Sequence, residues 1–349
     1  MKKCCSFLDR IFNIKKLLKS YILNDEEEDV FKENKIIVIQ RNSSNNFSPQ
    51  GDFSNLENYD LFERFIKIPL VKIFIEEVFL PNKEIKPFQL EKIKGIYKAI
   101  KKVLFELFDR LNIELNIPSE HFFLNSPSFY LEGEPATGAD LDCYTPILFM
   151  EFWIYGKTFV KNSKLKTINL VHNIEYTNSQ YTQERAGCPE YEQTKSITFA
   201  VHERNLAYIR IVLHHEYFHF IDMEEDFNYE DDDWKDINIK GFKYGKGGDS
   251  EREWVKLGKD QKGFINHYST TALEEDRAEI YQYLISCPDE ALNNKDIIVS
   301  KKAERIKEFI NDFDPEGFGD PENNFWSNLI DYRKAYVYKE KVYQGNIFK

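Results

Sequence analysis

The chain has 349 residues, 42% hydrophobic and 30% charged, enough to bury a sizeable core as one large domain or two to three small ones. Its net charge of −12 excludes nucleic acid as the main partner, because no basic surplus exists to displace counterions. Five cysteines, odd in number and without a CxxC pair, exclude a disulfide framework or a cysteine zinc site and point to a reducing, cytoplasmic setting.

At the N-terminus Asp9 and Arg10 interrupt any apolar stretch, so no signal peptide is expected. No run of 18 apolar residues suggests a membrane span. Cys4 and Cys5, beside Lys2, Lys3 and the segment 7–22, suggest an acylated membrane-surface contact or, more simply, an amphipathic helix with free thiols. Residues 24–58 have linker composition, with one short strand expected at 35–40, so 1–58 is read as a helix and flexible linker. From Asp60 to about Ile113 apolar residues recur at helical spacing, notably Ile96, Ile100, Val103, Leu104 and Leu107. The region 59–117 is therefore expected to hold two or three helices.

After Pro118 the texture changes to short aromatic and β-branched runs at 128–131, 147–155, 167–176 and 196–201. Turn-prone stretches separate them, and together they read as one twisted sheet. A helix is expected at about 204–222, then an acidic loop (224–233) and a glycine-rich loop (240–248). A second helix runs from Thr270 or Thr271 to about Ser286, a last one over 300–312, and a polar tail fills 313–349.

The helix at 204–222 carries His215-Glu216-Tyr217-Phe218-His219, an HExxH motif. Histidines four apart lie on one helical face, so both imidazoles can reach one metal ion, and Glu216 stands where it can take a proton from water on that metal. The run is apolar nearly all round, which marks a buried helix. Two buried imidazoles and a carboxylate are costly unless a divalent cation with supporting partners satisfies them. Asp222 shares the histidine face. A third histidine at the metzincin position is excluded, because Asp222 and Glu225 stand where Gly and His would be required. Gly247-Gly248-Asp249 is a poor match to an aspartate-ligand pattern. The better source of a third ligand is Leu273-Glu274-Glu275-Asp276-Arg277-Ala278-Glu279, where Glu275 and Glu279 share one helical face. One carboxylate would bind the metal and the other would orient an imidazole; the same acidic residues also suit a solvated face.

HExxH followed by Glu275-Asp276-Arg277-Ala278-Glu279 resembles the gluzincin metallopeptidases. Gly263-Phe264-Ile265-Asn266-His267-Tyr268-Ser269, with Tyr268 seven residues before Glu275, is similar to the zinc-binding metallopeptidase families of the anthrax-lethal-factor type. So are Trp234-Lys235-Asp236-Ile237-Asn238 and Gly241-Phe242-Lys243-Tyr244-Gly245. The resemblance covers roughly 195–290. It implies that His215, His219 and Glu275 bind Zn2+, that Glu216 is the general base, and that Tyr268 donates to the oxyanion. It places Glu279 behind the ligands, with Asp222 a further candidate there. Glu274 adjoins Glu275, so the assignment can slip by one; the Glu279 pairing and the Tyr268 spacing favour Glu275.

The expected fold is α+β: a zincin-like domain over 118–312 with a twisted sheet, an active-site helix and a helical C-terminal subdomain, preceded by a helical region. The expected function is zinc-dependent hydrolysis of a peptide or protein substrate, with an extended peptide docking on the 196–201 strand. The alternative is a catalytically silent protein-interaction module.

Overall fold

Apolar side chains at helical spacing build α1 (Tyr59–Ile66), α2 (Pro69–Phe74) and the 16-residue α3 (Ile96–Leu111), whose buried face includes Ile100, Val103, Leu104 and Leu107. The computed structural model describes residues 53–75, 95–203, 205–225, 231–245 and 262–336. The N-terminal helix with Cys4 and Cys5, the 35–40 strand, residues 226–230 of the acidic loop and 246–248 of the glycine-rich loop lie outside these residues. Among the described residues no helix is long and apolar enough to cross a membrane.

Beyond α3 the fold mixes helix and sheet, but with two four-stranded sheets in place of the single sheet expected. Strands β1 (Glu114–Asn116), β4 (Thr167–Val171), β8 (Ser196–Ala200) and β7 (Gly187–Glu190) form the first sheet, in that spatial order. The first three run parallel and β7 is antiparallel to β8, with Gly187 opposite Phe199 and Glu190 opposite Ser196. Strands β2 (Phe122–Asn125), β3 (Phe129–Gly133), β5 (Glu175–Asn178) and β6 (Thr182–Glu184) form an antiparallel second sheet. The expected strand at 167–176 is thus two strands in different sheets. The reason is nonlocal: β4 pairs with β1 and β8, while β5 pairs with β3 and β6. Leu124, Leu131, Tyr176, Cys188 and Ala200 share one core between the sheets.

The 147–155 run, read as a strand, lies mostly in a helix, α4 (Gly138–Phe152), with α5 (Lys157–Ser163) next. A capping box starts α4: Asp140 N donates to Thr137 Oγ1 (3.2 Å), and Thr137 N donates to Asp140 Oδ2 (2.8 Å). Every residue from Asp140 to Phe152 is buried, so no polar face remains to show a helical period, and the aromatic content mimics a strand.

The edge expectation also changes. β8 is interior, between β4 and β7; it is β7 that ends the sheet. Pro189, which has no N–H to give to a ladder, suits that position.

The helices that follow are α6 (Leu206–Glu225), α7 (Asp232–Ile237), α8 (Leu273–Ser286), α9 (Pro288–Leu292), α10 (Ile297–Phe313) and α11 (Phe325–Tyr336). The last occupies part of the stretch read as a polar tail. Its Tyr332 meets Trp153 edge-on at 5.6 Å, and Trp153 stacks on Phe62 of α1 at 4.1 Å.

Arg333 of α11 reaches the fully buried Glu151 of α4 through both terminal nitrogens, at 3.0 and 2.7 Å. His214 Nε2 lies 2.8 Å from Glu151, and its Nδ1 lies 2.8 Å from the Tyr155 hydroxyl, which also contacts the Tyr281 hydroxyl. Burial lowers the His214 pKa, so this network suits a neutral imidazole donating from Nε2 and accepting at Nδ1. Burial opposes the Glu151 charge, yet Arg333, the His214 hydrogen bond and Arg210 hold its pKa down at about 2.

A depressed carboxylate pKa contributes stability that is complete above the unfolded value of 4.5 and lost as pH falls through about 2. The melting temperature should therefore drop across that acid window. Glu151→Gln should be less stable at pH 7, since it strands Arg333, but should show a shallower acid dependence. Melting curves of both proteins from pH 7 to pH 2 check this; parallel curves would refute it.

Candidate metal centre

Helix α6 carries the HExxH motif. Asn205 caps it, its side-chain oxygen accepting from the backbone N–H of Ala207 (3.1 Å) and Tyr208 (3.2 Å). Helix α8 packs against it, with Phe218 and Tyr281 stacked at 4.7 Å between ring centres. Three acidic residues, Glu274, Glu275 and Asp276, fill the first turn of α8, where the helix dipole favours negative charge.

This pairing brings His215, His219 and Glu275 together, all three buried, with one donor atom from each within 4.8 Å of the others. His215 Nε2 and His219 Nε2 lie 3.1 Å apart. Glu275 Oε2 is 3.0 Å from the first and 3.5 Å from the second. Glu274, the neighbour that a one-residue slip would select, is half-buried and outside the triangle. Glu275 Oε2 is buried without a hydrogen bond of good geometry, although it sits within ion-pair distance of both imidazoles. A close triangle of two nitrogens and an oxygen with such an orphaned atom can hold a metal ion.

Around the triangle the other candidates take definite places. Glu279 Oε1 is 3.0 Å from His215 Nδ1, and Glu279 Oε2 accepts from Asn266 Nδ2 (2.6 Å) and Gln282 Nε2 (3.1 Å). The Tyr268 hydroxyl donates to Glu275 Oε1 at 2.5 Å. Burial and the Glu275 charge push the Tyr268 pKa well up, so the phenol stays a proton donor. Asp222 pairs with Arg277 Nη2 at 2.7 Å, and Arg277 Nη1 continues to Asp231 at 3.3 Å. Its helical face was legible, but its partner comes from α8.

Glu216 lies beneath the edge strand. A Cβ added at Gly187 would stand 2.5 Å from Glu216 Cγ and 3.0 Å from Cδ, so only glycine fits there. Burial raises the Glu216 pKa, while the charges of His215, His219 and Arg185 draw it back. Gly187→Ala should displace Glu216 while leaving the donor triangle intact. We expect unchanged metal content and roughly a hundredfold lower turnover. Metal analysis alongside kinetics tests this; full activity would refute it.

Sequence reasoning missed Gly187 and Arg185, which lie in a stretch without periodicity. It also missed the buried hub around Asp276. There Lys302 Nζ donates at 2.6 Å, the Tyr244 hydroxyl at 2.6 Å and Trp234 Nε1 at 3.0 Å. Asn238 in turn donates to the Tyr244 hydroxyl at 2.9 Å. Trp234, Asn238 and Tyr244 thus secure the residue next to Glu275 instead of touching the triangle.

Residues 146–312, which include every residue of the triangle, match the model of a family described as "Putative zinc-binding metallo-peptidase". No curated protein matches the chain. Among solved structures, a crystal structure described as a putative zinc-binding metallo-peptidase from Bacteroides caccae is similar, at 14% identity and a TM-score of 0.43. The superposition covers 72% of this chain and 95% of that one. The matched segment opens inside α4 and closes inside α10, so α6 and α8 fall wholly within it.

Proposed function

We propose that the chain is a zinc-dependent peptidase, acting as an endopeptidase, with His215, His219 and Glu275 as the metal ligands. The observation that carries this reading is the donor triangle. Zinc–ligand bonds of about 2.0–2.1 Å at tetrahedral angles place ligand atoms about 3.3 Å apart. The triangle's edges of 3.0, 3.1 and 3.5 Å bracket that spacing. Two imidazoles and a carboxylate are also a zinc donor set that leaves a fourth position for chemistry.

Bound there, zinc supplies Lewis acidity, making water acidic enough to lose a proton near neutral pH and polarising a peptide carbonyl. Glu216 accepts that proton and returns it to the departing amine, a role that its burial-raised basicity suits. Glu279 accepts a hydrogen bond from the Nδ1–H of His215, which fixes the tautomer whose Nε2 lone pair points inward. Tyr268 is the donor to the developing oxyanion and must exchange Glu275 Oε1 for it during the reaction. An extended peptide adds to the edge strand β7, whose Gly187 lies against Glu216.

The test is metal analysis of purified, zinc-reconstituted protein together with cleavage of a broad peptide library. One zinc per chain with internal cleavage is expected. Absence of stoichiometric zinc after reconstitution would sink the proposal, and zinc without cleavage would point to a silent interaction module.

A further inference from the structure

His172 and His202 stand just past the carboxyl ends of two adjacent parallel strands, β4 and β8. Beyond the last paired residues, Val171 and Ala200, the backbone N–H of His202 donates to His172 O at 3.1 Å. His202 then folds its ring onto the same carbonyl, with Nδ1 at 2.8 Å from it. A carbonyl only accepts, so Nδ1 carries the proton and the neutral ring keeps its lone pair on Nε2. A different acceptor holds His172 in the same way. Its Nδ1 lies 2.9 Å from Oδ2 of the buried Asp140, in the first turn of α4. That oxygen also accepts from Thr137 N (2.8 Å) and Thr137 Oγ1 (2.6 Å), as a carboxylate does, so His172 Nδ1 is again the donor and Nε2 again keeps the lone pair. The two ring centres are 5.5 Å apart, against 4.8 Å for His215 and His219. His172 is part exposed and His202 exposed, so solvent reaches the pair.

We propose that His172 and His202 form a second metal site, for a divalent cation of the zinc class, with Nε2 of each ring as a ligand and water in the remaining positions. Three considerations support it. Proteins fix the tautomer of a ligating imidazole by giving its other nitrogen a carboxylate or a backbone carbonyl, and this pair uses one of each. Two imidazole nitrogens select zinc, copper or nickel over calcium or magnesium, which prefer oxygen. The chain also carries a net charge of −12, which draws cations to its surface. Among the described residues the triangle is the one group of three His, Cys, Asp or Glu donors, so the pair binds with two protein ligands and more weakly than the triangle. An ion there would join the end of β4 to the end of β8 and, through Asp140, to the start of α4. It would thus brace the strand end from which the chain enters α6. None of these residues belongs to the triangle, and the inference does not depend on the peptidase reading.

The experiment titrates the full chain, already holding its first equivalent of zinc, with further Zn2+ in a calorimeter. One additional, weaker equivalent is expected. His172→Gln and His202→Gln should each abolish it and keep the first. Asp140→Asn, which retains an oxygen for the α4 cap, should weaken it about tenfold to hundredfold, the range for a residue that orients a ligand. Melting curves supply a second readout. Zinc beyond the first equivalent should raise the melting temperature of the parent protein in a concentration-dependent way, and should leave that of both histidine variants unmoved. A merely structural role for the histidines would lower the melting temperature of the variants but give the parent no such increment. Absence of the additional equivalent in the parent overturns the inference, and so does an equivalent that survives in either histidine variant. If the triangle takes up no zinc, the peptidase reading fails by itself. The same titration then decides the second site alone: a single equivalent lost in both histidine variants upholds it, and no binding overturns it.

Discussion

Glu216→Gln is expected to keep one zinc per chain and lose peptide hydrolysis by about three orders of magnitude, within the range for removal of a positioned general base. Glutamine preserves the shape that packs against Gly187, so the strand above and the donor triangle should stay in place. What disappears is the acceptor for the water proton and its donor to the leaving amine. Binding of an uncleaved peptide should be nearly unchanged, which places the loss in kcat rather than KM. Metal content, melting temperature and kinetics measured on one preparation decide the matter. Retained hydrolysis would remove Glu216 from the mechanism, whereas simultaneous loss of zinc would make its role structural.

The second large effect is expected at α8, where three carboxylates can be ranked by position. Glu275→Ala removes the oxygen that lies 3.0 and 3.5 Å from the two imidazole nitrogens. It should weaken zinc binding by about a thousandfold or more, beyond the roughly tenfold to hundredfold typical for a residue that orients a ligand. Glu279→Ala should fall in that smaller range, because Glu279 meets His215 only at Nδ1. Glu274→Ala should change zinc affinity by less than about threefold, in keeping with the small effects of substitutions away from a site. Competition against a chelator of known affinity measures all three. A loss centred on Glu274 would shift the ligand assignment by one residue.

Much of this neighbourhood was legible in the sequence, since a helix converts linear spacing into a shared face. His215 with His219, and Glu275 with Glu279, are each four apart, so their arrangement within each helix needed no tertiary knowledge. Tertiary pairing was a different matter. Nothing local states that 167–171 and 175–178 join different sheets, or that β7 takes the outer place instead of β8. In α4 the periodic signal was erased by burial on every side, and only the Thr137–Asp140 box marked a helix start. Arg185 and Gly187 acquire meaning from what lies across from them. Asp222 illustrates the middle case, its face predictable and its partner, Arg277, not.

The Arg333–Glu151 pair separates where sequence similarity ends from where the folded unit ends. The family match stops at residue 312, yet the guanidinium that neutralises a carboxylate behind the HExxH helix comes from residue 333. Likewise β1, β2 and β3, which supply an edge of one sheet and half of the other, precede residue 146. A fragment trimmed to 146–312 would keep all three donor residues and still expose a buried charge and two unfinished sheets. The matched segment marks where the sequence is similar; the folded unit that holds the donor triangle includes the flanks on both sides.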